Sequence, residues 1–170
     1  VALYLAAAGV GELALADGDS VDLSNLQRQI AHTELDLGSN KAQSAADSIA
    51  AINSDTTVNL IQQRLDTHQL HNCIDQADLV IDATDNAATR MAINAACWRY
   101  RKPLVSGAAI RWEGQVAVFD PTINTSPCYR CLYPELAGDE ELSCSENGVI
   151  SPLVGIIGTH QALEAVKYIT

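Results

Sequence analysis

The chain has 170 residues, 48% hydrophobic and 18% charged, and its net charge is −11. Such acidity argues against a nucleic-acid partner, because a phosphate backbone demands clustered Lys and Arg, whereas a nucleotide needs only a few local cations. No apolar run has the length of a membrane span and no basic-plus-apolar leader opens the chain, so the expectation is one cytoplasmic domain over residues 1–170 with no membrane contact.

In chain order, 1–8 is rich in Ala and Leu and reads as a helix stopped by Gly9 and Gly11. Residues 13–16 read as a short buried strand that ends at Asp17. Ala42, Ala45, Ala46 and Ile49 recur at helical spacing and predict a helix over 41–52. A strand is expected at 58–62, a short helical turn at 65–73, and a buried strand within 77–84. A helix over 87–100 leads to strands at 103–106 and 114–119, the last antiparallel at the sheet's far side. Residues 121–148 carry no periodicity and many loop formers, and 151–169 return to a helical pattern. Strands alternating with helices imply an α/β, Rossmann-like, mostly parallel sheet with helices on both faces. A helix that opens the chain ahead of the strand ending at Asp17 leaves no strand and glycine loop before it. Both ends therefore read as truncated, with a Gly-x-Gly-x-x-Gly turn expected upstream of Val1.

Asp17 stands where a strand ends, the place from which an acid grips a ribose hydroxyl in doubly wound sheets. With Asp19, Asn25, Gln27 and Arg28 it forms a polar cluster, read either as a nucleotide site or as an Asp- and Ser-rich turn. Asp85 and Asn86 lie between a strand and a helix, where Asp85 suits magnesium, a hard cation, and either residue suits a helix cap. Lys41 opens a helix against the helix dipole, which a phosphate would repair; the alternative is a solvated lysine. Cys128 and Cys131, spaced Cys-x-x-Cys in a loop between Pro127 and Pro134, make half of a zinc knuckle. A redox pair belongs at a helix start after a strand, so the loop setting favours metal. A second Cys pair is missing from the sequence. Cys144 reads as a nucleophile or as a passive loop thiol, with Glu140, Glu141 and Glu146 working against its thiolate. Cys73 and Cys97 read as core residues, His160 as a packing residue, and Trp98 and Trp112 as packing or interface residues. His32, His68 and His71 receive no role.

Taken together, Asp17 to Gln29, Gly38 to Lys41, Asp82 to Asn86, Gly107 to Gln115, Pro127 to Cys131 and Cys144 to Val149 resemble the ThiF/MoeB/HesA family. These are bacterial relatives of ubiquitin-activating enzymes. The stretch Gly107-Ala-Ala-Ile-Arg-Trp-Glu-Gly-Gln115 is more similar to the branch that serves molybdenum cofactor synthesis than to the thiamine branch. The resemblance implies ATP-dependent adenylation of the C-terminal glycine of a ubiquitin-like sulfur carrier ending in Gly-Gly, with release of pyrophosphate. It also implies a homodimer and a sulfurtransferase partner. By resemblance, Asp17 holds the ribose, and Asp19, Ser24, Asn25, Gln27, Arg28 and Asn86 contact the nucleotide. Lys41 and Arg28 meet phosphate, Asp85 takes Mg2+ and serves catalysis, Cys128 and Cys131 hold Zn2+, and Cys144 forms a link to the carrier. A non-catalytic scaffold and a nicotinamide-dependent oxidoreductase share parts of this pattern. Arg28 and Lys41 argue against both, and Asp85 argues against the scaffold.

Overall fold

The computed structural model describes residues 1–134 and 148–170. Cys144, Glu140, Glu141 and Glu146 lie outside the described residues. The rest forms two compact units, Val1–Leu65 (with Thr170) and Asp66–Ile169. Among the described residues no helix is long and apolar enough to cross a membrane.

In the first unit, helix α1 (Ala2–Ala7) buries Leu5 and Ala6 and gives way to Gly9, at φ 87°. Strand β1 (Glu12–Ala16), two single 3-10 turns (Leu23–Asn25 and Glu34–Asp36), helix α2 (Lys41–Ile52) and strand β2 (Thr57–Ile61) follow. β1 and β2 pair in parallel, Glu12 opposite Thr57 through Ala16 opposite Ile61. Parallel strands need a crossover, and the 3-10 turns and α2 supply it. Asn40 starts α2 by capping it, its Oδ1 accepting from Gln43 N at 3.2 Å. The helix packs on α1 and on both strands, burying Ala42, Ser44 and Ile49. A buried hydroxyl needs a partner, and Ser44 Oγ finds it in His32 Nδ1 at 2.8 Å. So His32, which has no role in the sequence reading, pins the connection to the helix. At the far end, Asn53 donates to Ala6 O at 2.8 Å and ties α2 to α1.

The second unit holds α3 (Thr67–Gln76), β3 (Val80–Asp82), α4 (Ala87–Tyr100), β4 (Leu104–Ile110), β5 (Glu113–Phe119), the single turn α5 (Tyr129–Leu132) and α6 (Ser151–Ile169). Strand order is β3-β4-β5; β3 and β4 are parallel, and β5 runs antiparallel to β4 as predicted. Ile74, Ile93, Ala96, Cys97, Leu104, Phe119 and Tyr129 form its core, while α6 packs on β4 and β5. Phe119 and Tyr129 meet edge to face with ring centroids 5.8 Å apart.

Several expectations need correction. The short turn expected at 65–73 is the ten-residue helix α3, begun by a reciprocal cap in which Asp66 accepts from Gln69 N and Gln69 Oε1 accepts from Asp66 N. The strand expected within 77–84 is present and narrows to Val80–Asp82, ending where Asp82 turns its carboxyl back onto Thr84. β4 runs on to Ile110 because β5 pairs with all of it. The Cys-x-x-Cys pair is not in irregular chain: Cys128 sits at the N-terminal boundary of α5. His160 does not pack; it is exposed, 3.5 Å from Glu164. Trp98 and Trp112 are exposed, so neither packs in the core, and Cys73 is half-buried.

Candidate functional site

β1 and β2 end side by side, so the residues that follow them meet. Asp17, the first residue past β1, donates its N–H to Ile61 O at 3.1 Å. Its Oδ1 accepts from Asp19 N at 2.9 Å, and its carbonyl accepts from Asn40 Nδ2 at 2.9 Å. Asn40 thus caps α2 and at the same time fastens that helix start to the end of β1. Lys41 follows directly, its N–H donating to Asp19 O at 2.9 Å and its Nζ lying 3.4 Å from Asp19 Oδ2. Its side chain is only 12% exposed. It is therefore neither a solvated lysine nor an unpaired one: Asp19 is the anion that offsets a cation at a helix start.

The other oxygen of Asp19 accepts from Arg64 Nη2 at 3.2 Å. That hydrogen bond is the main reason the Asp19 carboxyl is held below the ordinary carboxylate range; burial opposes it and the Lys41 charge assists. The sequence reading missed Arg64. Its signal lay in the parallel pairing, since a residue just past β2 comes beside one just past β1. Gly18 marks the closeness of this approach: a Cβ there would stand 2.5 Å from Arg64 N and 2.9 Å from Gln63 C.

Ser24, Asn25 and Arg28 form a second knot in the same unit. Asp22 caps the 3-10 turn through Ser24 N at 2.8 Å. Arg28 folds back on that turn, donating to Ser24 O at 3.1 Å and to Asn25 Oδ1 at 3.0 Å. Gln27 is exposed beside it.

In the second unit, Asn86 rather than Asp85 caps α4, accepting from Thr89 N at 2.9 Å. That leaves Asp85 exposed just beyond the carboxyl end of β3, with no capping role. Cys128 Sγ and Cys131 Sγ lie 3.5 Å apart. Two corners of a tetrahedral zinc–thiolate site lie about 3.8 Å apart for Zn–S bonds of ~2.3 Å, so the pair fits two positions of such a site. Burial works to raise the Cys128 thiol, but hydrogen bonds from Cys131, Asn94 and Arg130 bring it below its ordinary range. Among the described residues no group of three or more His, Cys, Asp or Glu is arranged to hold a metal.

The ThiF family model matches residues 1–170, the whole chain. The chain belongs to the ThiF family. Molybdopterin-synthase adenylyltransferase of Escherichia coli K12, a relative in that family, is 49% identical over 164 residues, covering 96% of this chain and 65% of that protein. Sulfur carrier protein ThiS adenylyltransferase of the same organism is 46% identical over 169 residues, covering 99% of this chain and 66% of that protein. The chain thus spans about two-thirds of the length of these relatives. Among solved structures, E. coli MccB with ATP aligns at a TM-score of 0.81 and 22% identity, over 98% of this chain and 51% of that one. At that identity the likeness speaks for the fold, an α/β arrangement with parallel strands and helices.

Proposed function

We propose that this chain carries the nucleotide site of an adenylyltransferase that activates the C-terminal glycine of a ubiquitin-like sulfur carrier for molybdenum cofactor synthesis. The observation that carries the reading is the meeting of Asp17, Asp19 and Lys41 where β1 ends and α2 begins. It occurs in a chain 49% identical to a molybdopterin-synthase adenylyltransferase. In this reading residues 1–170 work as one adenylylating domain of a cytoplasmic homodimer, and a sulfurtransferase supplies the sulfur that follows.

The chemistry joins two anions. The carrier's glycine carboxylate attacks the α-phosphorus of ATP, the bond to the β-phosphate oxygen breaks, and acyl-adenylate and pyrophosphate result. Repulsion between carboxylate and polyphosphate must be offset by cations placed beforehand. Asp17 takes the ribose hydroxyls, with Asp19, Ser24, Asn25, Gln27 and Asn86 completing the nucleotide contacts. Lys41 and Arg28 take phosphate. Both are held by neighbours before the nucleotide arrives, Lys41 by Asp19 and Arg28 by Asn25, so each exchanges a protein partner for a phosphate oxygen. Asp85 would hold magnesium, which supplies charge neutralisation on the polyphosphate. Cys128 and Cys131 would hold zinc in a structural role. Cys144 would form the link to the carrier.

ATP–pyrophosphate exchange tests this. Exchange that depends on a carrier ending in Gly-Gly, and that Asp85→Ala or Lys41→Ala abolishes, is the expected result. ATP binding without exchange for any such carrier would replace the reading with a non-catalytic scaffold. The 46% identity to the ThiS enzyme supports a second carrier, that of the thiamine pathway, and comparing exchange rates for the two carriers chooses between them.

A further inference from the structure

Asp82 is among the most deeply buried residues of the chain, 1% exposed, although it is acidic. Its Oδ1 accepts from Thr84 N at 2.9 Å and from Thr84 Oγ1 at 2.7 Å. Its Oδ2 accepts from Ser106 Oγ, on β4, at 2.9 Å. Its backbone carbonyl accepts from Gln161 Nε2, on α6, at 2.7 Å, and the same amide donates to Val105 O at 3.3 Å. Ser106 and Gln161 are themselves 4% and 2% exposed. Space for the glutamine exists because position 107 is glycine: a Cβ there would come within 2.7 Å of Gln161 Nε2. Four positions drawn from three elements are thus committed to one polar cluster inside the unit.

Burying such groups costs stability unless every one is paired, and an apolar filling of the same shape often serves stability as well or better. The destination of the bonds is what distinguishes this cluster. They converge on the turn from β3 to α4. Thr84 is held through its N–H and hydroxyl by Asp82, and its carbonyl accepts from Arg90 Nη2. Asn86 is fixed by its cap on Thr89. The residue between these two pinned neighbours is Asp85, itself exposed.

We propose that Asp82, Ser106 and Gln161 are positioning residues that hold the Ala83–Asn86 turn, and with it Asp85, in the geometry used for catalysis. The proposal rests on the adenylation reading for what Asp85 does, but the fixing of the turn stands apart from it. A group displaced by an ångström loses up to about a hundredfold in rate. Asp82→Ala and Ser106→Ala should therefore lower kcat in pyrophosphate exchange by roughly ten- to a hundredfold, with KM for ATP changed less than about twofold.

Asp82→Asn is the discriminating variant. Its Oδ1 still accepts from Thr84, and its amide donates to Ser106 Oγ, which then accepts; kcat should stay within a few-fold of the unsubstituted chain. Hydrogen exchange read by mass spectrometry supplies the readout besides activity. Amides of 83–89 should exchange faster in Asp82→Ala, Ser106→Ala and Gln161→Met than in the unsubstituted chain, while the β4 and β5 core keeps its protection. Should Asp82→Ala fail to fold, the latter two variants carry the test. Unchanged exchange over 83–89 overturns the proposal, as does Asp82→Asn losing as much kcat as Asp82→Ala. If the unsubstituted chain shows no pyrophosphate exchange, the adenylation reading falls, and hydrogen exchange still decides whether the cluster holds the turn.

Discussion

Replacing Gly18 by alanine tests how closely the two strand ends approach. The added Cβ would stand 2.5 Å from Arg64 N and 2.9 Å from Gln63 C, both backbone atoms that no side-chain rotation can move aside. Ordinary contact begins near 3.4 Å, so the chains must part by roughly 0.9 Å. Forcing an extra methyl into a packed site costs about 1–3 kcal/mol. For a chain of this size that is a fall in Tm of about 2–10 °C. The same parting pulls Arg64 from Asp19 and loosens the junction that carries Asp17 and Lys41, so ATP binding should weaken as well. Thermal unfolding by circular dichroism and ATP titration calorimetry measure the two effects. Gly11→Ala is the control: nothing lies within 4 Å of its Cβ. Gly18→Ala melting within a degree of both the control and the unsubstituted chain would refute the close approach.

Asp19 is held below its ordinary value near 3.8 by the Arg64 hydrogen bond. Its contribution to stability is therefore complete above that value and is lost as pH falls through the lower folded-state value. Asp19→Asn should flatten the acid limb of a stability–pH profile measured by urea unfolding; an unchanged limb would contradict the pairing. His32 runs the other way in charge, since burial lowers it from 6.5. The unfolded chain then binds the proton first, so stability falls as pH drops below about 6.5, and His32→Gln should lessen that fall between pH 7 and 5.5. Burial, assisted by the nearby Asp82, pushes the Cys97 thiol up to about 12. Peptide mapping after iodoacetamide treatment of the native chain at pH 8 should find exposed Cys131 labelled and Cys97 labelled only after unfolding. Added zinc should protect Cys128 and Cys131 together and leave Cys73 reactive, and a chelator should reverse this; protection absent from both would count against their binding zinc as a pair.

Local chemistry made much of the chain legible. The bounds of α2 and α4 follow from apolar spacing and from Asn40 and Asn86, whose cap bonds reach only three residues ahead. β1 and Asp17 at its end are likewise readable, because an apolar run and its polar stop are neighbours in sequence, although the strand is not the buried one expected: its residues alternate between exposed and half-buried. The existence of β3 within 77–84 is legible but its bounds are not, because Ala77 and Leu79 look like strand residues, while the bonds from Asp82 to Thr84 that end it depend on a buried setting. Cys-x-x-Cys read as loop because one helical turn, Tyr129–Leu132, is too short to show a period.

By itself, then, the sequence determined where most of the strands and helices lie, that acids stand at strand ends, and which family the chain resembles. Only the tertiary structure decided which of those residues meet. Arg64 reaches Asp19, 45 positions away, because parallel strands bring the segments beyond their ends together. Gln161 reaches Asp82, 79 positions away, because α6 packs on β4 and β4 pairs with β3. Periodicity and capping record the environment of one element, whereas such partnerships depend on strand register and helix packing, which no local pattern carries.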